Sequence, residues 1–275
     1  MDVHTFYKLV CNVLNVQLSF SLNKIKSLSN MMQYVSKVIS PFLLLQRCEI
    51  QLEMYENSID DMFSNCKEKM TEMFFGKFSD ELTKEGYGTH WDNEESKIKM
   101  DDHILKKAEL QAIRVYTEHE NGVYNEFNVA VRTGKNMYGT SFKFHILYFL
   151  LVSAVQKFKK ADKMTCYTTY RRYKGEVKFN SDTGIIRFGS FASSSLSPDQ
   201  KDYGNKACLE IITCHGAAIE EYSAYPKEKE VLIPPYEMFK IIKGQDVEKL
   251  KDCEARFVLK SVGTKSNLDC LLVKK

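Results

Sequence analysis

The texture of the chain changes near Lys160, and this change limits its architecture more than any other feature. Before it, apolar residues recur at helical spacing. The segment 101–117, DDHILKKAELQAIRVYT, puts Ile104, Leu105, Ala108, Leu110, Ile113 and Val115 on one broad face. The segments 57–86, 122–134 and 142–158 also read as helices. The first opens on serine and aspartate cap candidates and ends at a glycine. After Lys160 come short runs rich in β-branched and aromatic residues at 166–173, 184–191, 207–214, 217–225, 230–234 and 255–262. Turn residues separate them closely, a pattern that predicts antiparallel sheet, with two packed sheets as one form of it. Helices first and strands later give an α+β fold.

Bulk properties narrow the class. Hydrophobic residues make up 44% of the 275, enough for a sizeable core. A formal net charge of +3 from nearly balanced acids and bases gives no concentrated basic stripe, so nothing supports a nucleic-acid partner. No apolar run approaches the ~20 residues of a membrane helix. The longest, at 144–155, is broken by His145 and Ser153 and reads as a buried core helix. The opening MDVHTFYKLVCNVLNV makes a poor secretory signal; KVISPFLLLQRC (37–48) is more apolar but lies far from Met1. Residues 1–50 are therefore read as a leader or unassigned segment, and 51–275 as the functional domain.

Eight cysteines form no CxxC pair, which argues against structural zinc, and their even number is compatible with bridges whose connectivity spacing alone leaves open. The histidines have no metal-ligand spacing, and His145, inside an apolar helix, reads as a satisfied core residue. There is no GxGxxG after a strand and no phosphate-binding Walker loop.

Three short motifs remain. Glu228 and Glu230 stand two apart before an aliphatic run; on one strand they would share a face, and two adjacent carboxylates raise one pKa. Read alone, KEKE is a solvated charge run. Arg171 and Arg172 end a strand, and a guanidinium suits phosphate oxygens, although alone it is a surface ion-pair former. Ser193, Ser194 and Ser195 follow an aromatic strand and alone read as a polar turn.

Their order changes the weighting. A Tyr-Arg strand, then Phe-x-Ser-x-Ser, then Glu-x-Glu before an aliphatic strand resembles the arginine-specific mono-ADP-ribosyltransferases of the R-S-ExE type. Segments such as YTEHENGVYNEFNVAVRTG, RFGSFASSSL and EIITCHGAAIEEYSAYPKEKEVLIPPYEMFKI resemble the vertebrate ecto-enzymes, in order, from about Asn57 to Cys270. The resemblance implies an α+β fold with a two-sheet antiparallel core, and transfer of ADP-ribose from NAD to an arginine side chain with release of nicotinamide. NAD or NADP would be a consumed co-substrate, with no recycled cofactor and no metal. The partner would be an arginine-bearing target protein, and the location extracellular or in the secretory pathway.

By the same resemblance, Glu230 stabilises the cationic ribose, Glu228 engages the acceptor guanidinium, Arg171 binds NAD phosphate, and Ser193 positions Glu230 and contacts the ribose. Ser195 supports them from behind. Many relatives carry glycine at the position of Arg172, whose backbone would bind the carboxamide and whose side chain would narrow the pocket. Relatives' bridges imply Cys66–Cys270 and Cys166–Cys214, leaving Cys11, Cys48, Cys208 and Cys253 unassigned. An NAD glycohydrolase and a catalytically silent binding relative are the alternatives.

Overall fold

The computed structural model describes residues 49–83, 87–98, 104–162, 164–242 and 247–273. The most apolar stretch forms helix α5 (His145–Ala161), buried nearly all round in its first three turns. Against it pack α1 (Lys67–Lys77) and α3 (Lys107–Thr117), while α2 (Gly88–Glu95) and α4 (Val123–Thr133) pack on α3, all within one core. Helix α4 fills the predicted segment 122–134 between its two glycines, and Gly122 takes the left-handed conformation (φ 77°) that glycine tolerates best. His145 is a satisfied core residue: its Nε2 accepts from Gly139 N at 2.9 Å, its Nδ1 meets Glu81 Oε1 at 2.7 Å, and its ring stacks on Phe78.

The strands are β1 (Glu49–Leu52), β2 (Tyr167–Tyr173), β3 (Glu176–Phe179), β4 (Ile185–Ile186), β5 (Ala192–Ser195), β6 (Ala207–Thr213), β7 (Ala217–Ala218), β8 (Glu230–Ile233), β9 (Glu237–Ile242) and β10 (Ala255–Thr264). Eight of them follow the order β4-β9-β10-β6-β2-β5-β8-β7. Where a two-sheet core was expected, the eight strands form one sheet, in which β2 meets β5 at the single pair Tyr170–Ser195. All pairings among the eight are antiparallel except β10 with β6. Strands β1 and β3 form a separate parallel pair. Leu232 and Ile233, neighbours in β8, enter different cores: one shared with the helices, the other with β1 and β3. Strand β8 is thus buried on both faces, which explains its unbroken aliphatic run.

Several expected elements shorten. The helix expected over 101–117 begins at Lys107, after an extended Lys106 whose N donates to Glu109 Oε2 at 2.8 Å, and residues 101–103 lie outside the described residues. The segment from Asn57 to Cys66 is not helical. Asp60 and Asp61 do not cap a helix; they bind the C-terminal segment, through Asn267 N, Leu268 N and Cys270 N. The strand expected over 184–191 is only β4. Beyond it, Arg187 turns into the core, and Gly189 (φ 67°) lies against the Tyr55 side chain where a Cβ would clash. The strand expected over 217–225 is only β7, because Tyr222 N and Ser223 N both turn back to Ile219 O.

Both implied disulfides, Cys66–Cys270 and Cys166–Cys214, are present. A third joins Cys208 to Cys253, which the sequence left unassigned. Cys11 and Cys48, like the leader reading of 1–48, lie outside the described residues. The first bridge spans 204 residues, and closing so long a loop contributes about 3–5 kcal/mol in the chain-entropy view. Among the described residues no helix is long and apolar enough to cross a membrane.

The ion pair between Arg187 and Asp60, 2.7 Å apart with both side chains fully buried, generates a stability prediction. Asp60→Ala leaves a buried guanidinium uncompensated and should cost about 3–5 kcal/mol, read as a lower denaturant midpoint. A loss under about 1 kcal/mol would show that the pair does not hold the fold.

Candidate active site

Strand alternation separates the two arginines. Arg171 and Arg172 are adjacent in β2, so their side chains leave on opposite faces. Arg171 faces β5: its Nη1 donates to Ser193 O and its Nε to the Tyr173 hydroxyl at 2.8 Å, with the guanidinium over the Tyr173 ring. Arg172 lies on the other side, buried in a bidentate pair with Asp252 at 2.8 and 3.0 Å and donating to Pro198 O. Its side chain cannot narrow the pocket, and any ligand contact must come from its backbone.

Strand β5 divides its three serines in the same way. Ser194 Oγ donates to Val231 O at 3.0 Å and Ser195 Oγ to Glu228 O at 2.6 Å. Ser195 Oγ also accepts from Ser197 N, so it pins the turn that carries Glu228. Ser193 Oγ is buried without a hydrogen-bond partner.

Glu230 opens β8 opposite Ser195 and is 3% exposed. Ser223 Oγ donates weakly to Oε2 at 3.4 Å, and Oε1 has no partner. Burial pushes its pKa above the ordinary glutamate value. The nearby Ser193 and Ser223 hydroxyls work against that rise, and the charge of Glu228 adds to it. The Ser193 hydroxyl is thus close enough to affect the carboxylate, yet neither Ser193 Oγ nor Glu230 Oε1 meets hydrogen-bond geometry within the chain. Two buried polar atoms left open side by side carry a desolvation cost that a ligand hydroxyl would relieve.

Glu228 does not share a strand face with Glu230. It closes the 3-10 turn Pro226–Glu228, and Lys229 then takes a left-handed conformation (φ 50°) before β8 begins. The turn leaves the Glu228 side chain 28% exposed while Glu230 is buried. Tyr203 donates to Glu228 Oε1 at 2.6 Å, and His119 Nε2 lies 4.0 Å from Oε2. Partial burial works against the Glu228 charge, but His119 and Tyr203 outweigh it and hold its pKa below the ordinary value. The two acids therefore differ: one is buried and reluctant to ionise, the other reachable and ionised.

Arg171, Ser193, Glu230 and Glu228, singled out in the sequence, come together here. His119, Tyr203, Ser223 and Tyr225 complete the cluster, and sequence reasoning missed them. No spacing ties residue 119 or 203 to 228; His119, Ser223 and Tyr225 sit inside segments that resemble the family, without a role readable there, and Tyr203 lies outside them. Among the described residues no group of acidic, histidine and cysteine side chains could hold a metal ion.

Comparison with known proteins agrees with this arrangement. The family model described as NAD:arginine ADP-ribosyltransferase matches residues 52–267. Human ecto-ADP-ribosyltransferase 4 is 32% identical over 82% of this chain and 74% of its own length. The erythroblast NAD(P)(+)--arginine ADP-ribosyltransferase of Gallus gallus is 28% identical over 82% of this chain and 77% of its own. Among solved structures, a mutant of the eukaryotic mono-ADP-ribosyltransferase ART2.2 in complex with NADH aligns with a TM-score of 0.68. It is 26% identical, over 81% of this chain and 99% of that one. A second ART2.2 mutant, in complex with NAD, aligns with a TM-score of 0.66. With a family match across most of its length and the R-S-ExE residues gathered on β2, β5 and the edge of β8, this chain belongs to the NAD:arginine ADP-ribosyltransferase family.

Proposed function

We propose that this chain transfers ADP-ribose from NAD to arginine side chains of a target protein, through Arg171, Ser193, Glu228 and Glu230, within a catalytic domain spanning 51–275. The observation that supports these roles best is the pair of open buried atoms, Ser193 Oγ and Glu230 Oε1, beside the Arg171 guanidinium. A dinucleotide offers partners for each: phosphate oxygens for Arg171, and ribose hydroxyls for Ser193 and Glu230.

Cleavage passes through an oxocarbenium-like ribose, as in glycoside hydrolysis. The C1′–nicotinamide bond breaks and its electron pair stays on the nicotinamide nitrogen. A buried carboxylate at the ribose stabilises the developing cation far more than it would in water. Glu230 fills this role once ionised, and the ribose cation favours that ionisation. A guanidinium nitrogen of the acceptor then bonds to C1′ and releases one proton. Glu228, exposed and ionised, receives the acceptor and takes that proton. Three disulfides fit an oxidising compartment, and we place the protein at the cell surface or in the secretory pathway.

Three outcomes follow for single variants. Glu230→Gln should lower nicotinamide release and arginine labelling together by about 10²–10³-fold. Turnover at the parental rate would remove Glu230 from the mechanism. Glu228→Gln should retain NAD cleavage while losing most labelling of an arginine mimic, measured as radiolabelled transfer against nicotinamide release. Equal labelling would refute its role.

The third outcome concerns stability. The folded-state pKa of Glu230 is raised by burial, so its ionisation opposes folding. That cost is absent at low pH and grows as pH rises past the unfolded glutamate value. Glu230→Gln should therefore melt at or above the parental temperature near ~pH 8, with the gap closing toward ~pH 4. A lower melting temperature at the alkaline end would contradict the desolvation argument.

A further inference from the structure

His119 stands beside Glu228, and the transfer chemistry does not use it. It opens the 3-10 turn His119–Asn121 just after α3. Two hydrogen bonds tie the end of α3 to the loop that leads into Glu228. Thr117 Oγ1 accepts from Ala224 N at 2.9 Å, and Glu118 accepts from the Tyr225 hydroxyl at 2.9 Å. The imidazole lies parallel to the Tyr225 ring at 5.3 Å and edge-on to Tyr124 at 5.3 Å. Its Nε2 is thereby aimed at Glu228 Oε2, 4.0 Å away, while Tyr203 occupies the other carboxylate oxygen. The contact is built by two docked elements, not by chance proximity of mobile side chains.

We propose that His119 positions Glu228 and, through its own charge, sets whether ADP-ribose passes to arginine or to water. The proposal rests on the reading in which Glu228 receives the acceptor guanidinium. Imidazolium and guanidinium are both cations and compete for one carboxylate. Charged, His119 holds Glu228 Oε2 and repels the incoming arginine. Neutral, it does neither, and Glu228 is free to bind the guanidinium and take its proton, which then leaves to solvent. Water carries no charge and is indifferent to this competition, so hydrolysis is spared.

The groups facing His119 are Glu228 from the Pro226–Glu228 turn, Glu230 from β8, Glu118 from its own segment, and the phenols Tyr124 and Tyr225. None of these is a cation. Burial disfavours the imidazolium, but the carboxylates, Glu228 foremost, outweigh it and raise the His119 pKa above its usual value. The change of state thus falls above the ordinary imidazole value. As pH rises through it, transfer gains on hydrolysis.

The test uses the full chain, NAD and the guanidine acceptor agmatine, with transfer and hydrolysis measured on one preparation between about pH 5.5 and 8.5. For the parent, the transfer-to-hydrolysis ratio should fall about tenfold per pH unit on the acid side. His119→Gln should flatten that fall, and His119→Lys, which keeps a cation, should depress the ratio at every pH. A flat parental ratio overturns the proposal, and so does an acid fall that persists in His119→Gln. A purely structural role would lower both reactions and leave the pH dependence of their ratio as in the parent, which overturns the proposal equally. Should neither variant fold, the parental ratio decides. Failure of the underlying reading looks different: a parent that releases no nicotinamide at any pH, or Glu228→Gln that labels agmatine at the parental rate.

Discussion

Asp60 and Arg187, both without solvent exposure, join three parts of the chain that are far apart in sequence. Arg187 donates to Asp60 and to the carbonyls of Met54, Tyr55 and Lys265. Asp60 accepts in addition from Asn267 and Leu268. Each charge is thus surrounded by hydrogen-bonding groups, the condition under which a buried pair is tolerated. This knot fixes the segment before α1, the exit of β4 and the chain after β10. The Cys66–Cys270 bridge closes the same region covalently. With these ends tied, Gly189, Ser190 and Phe191 are held at the helical layer, and β5 starts in the register that delivers Ser193 to Arg171.

The site is the opposite case: polarity left incomplete. At the knot both buried charges are matched, whereas Ser193 Oγ and Glu230 Oε1 are left without partners. A fold normally avoids such a cost, so its retention beside a guanidinium marks where stability is given up for ligand contact. Glu230 is held there because β8 is buried on both faces and its first residue has no route to solvent. Glu228 escapes the same fate only because Lys229 turns the backbone left-handed. One residue of unusual backbone therefore separates a buried acid from an accessible one, and with them two chemical roles.

Much of this was legible beforehand. The helical periodicity of α3, the glycine boundaries of α4 and the apolar run of α5 are local signals, and each gave its helix. The aliphatic run of β8 and the β-branched and aromatic run of β2 did the same for the sheet. Two bridges followed from resemblance, but the Cys208–Cys253 pair did not, since cysteine spacing carries no pairing information. The region from Asn57 to Cys66 misled because aspartates that look like helix caps serve a partner more than two hundred residues away. The strands over 184–191 and 217–225 misled because β propensity cannot register a buried arginine or a turn.

By itself the sequence determined the elements whose cause is local: periodicity, capping glycines, and the ordered Arg, Ser and Glu-x-Glu motifs that name the chemistry. Only the tertiary structure decided which way each motif residue points. It turned Arg172 away to Asp252, set Ser195 under the Glu228 turn, and brought His119 and Tyr203 to the same carboxylate. The reason is physical. A strand's alternation and a turn's handedness are written in neighbouring residues, but the face that meets a ligand is chosen by packing between distant segments, and no local pattern encodes that choice.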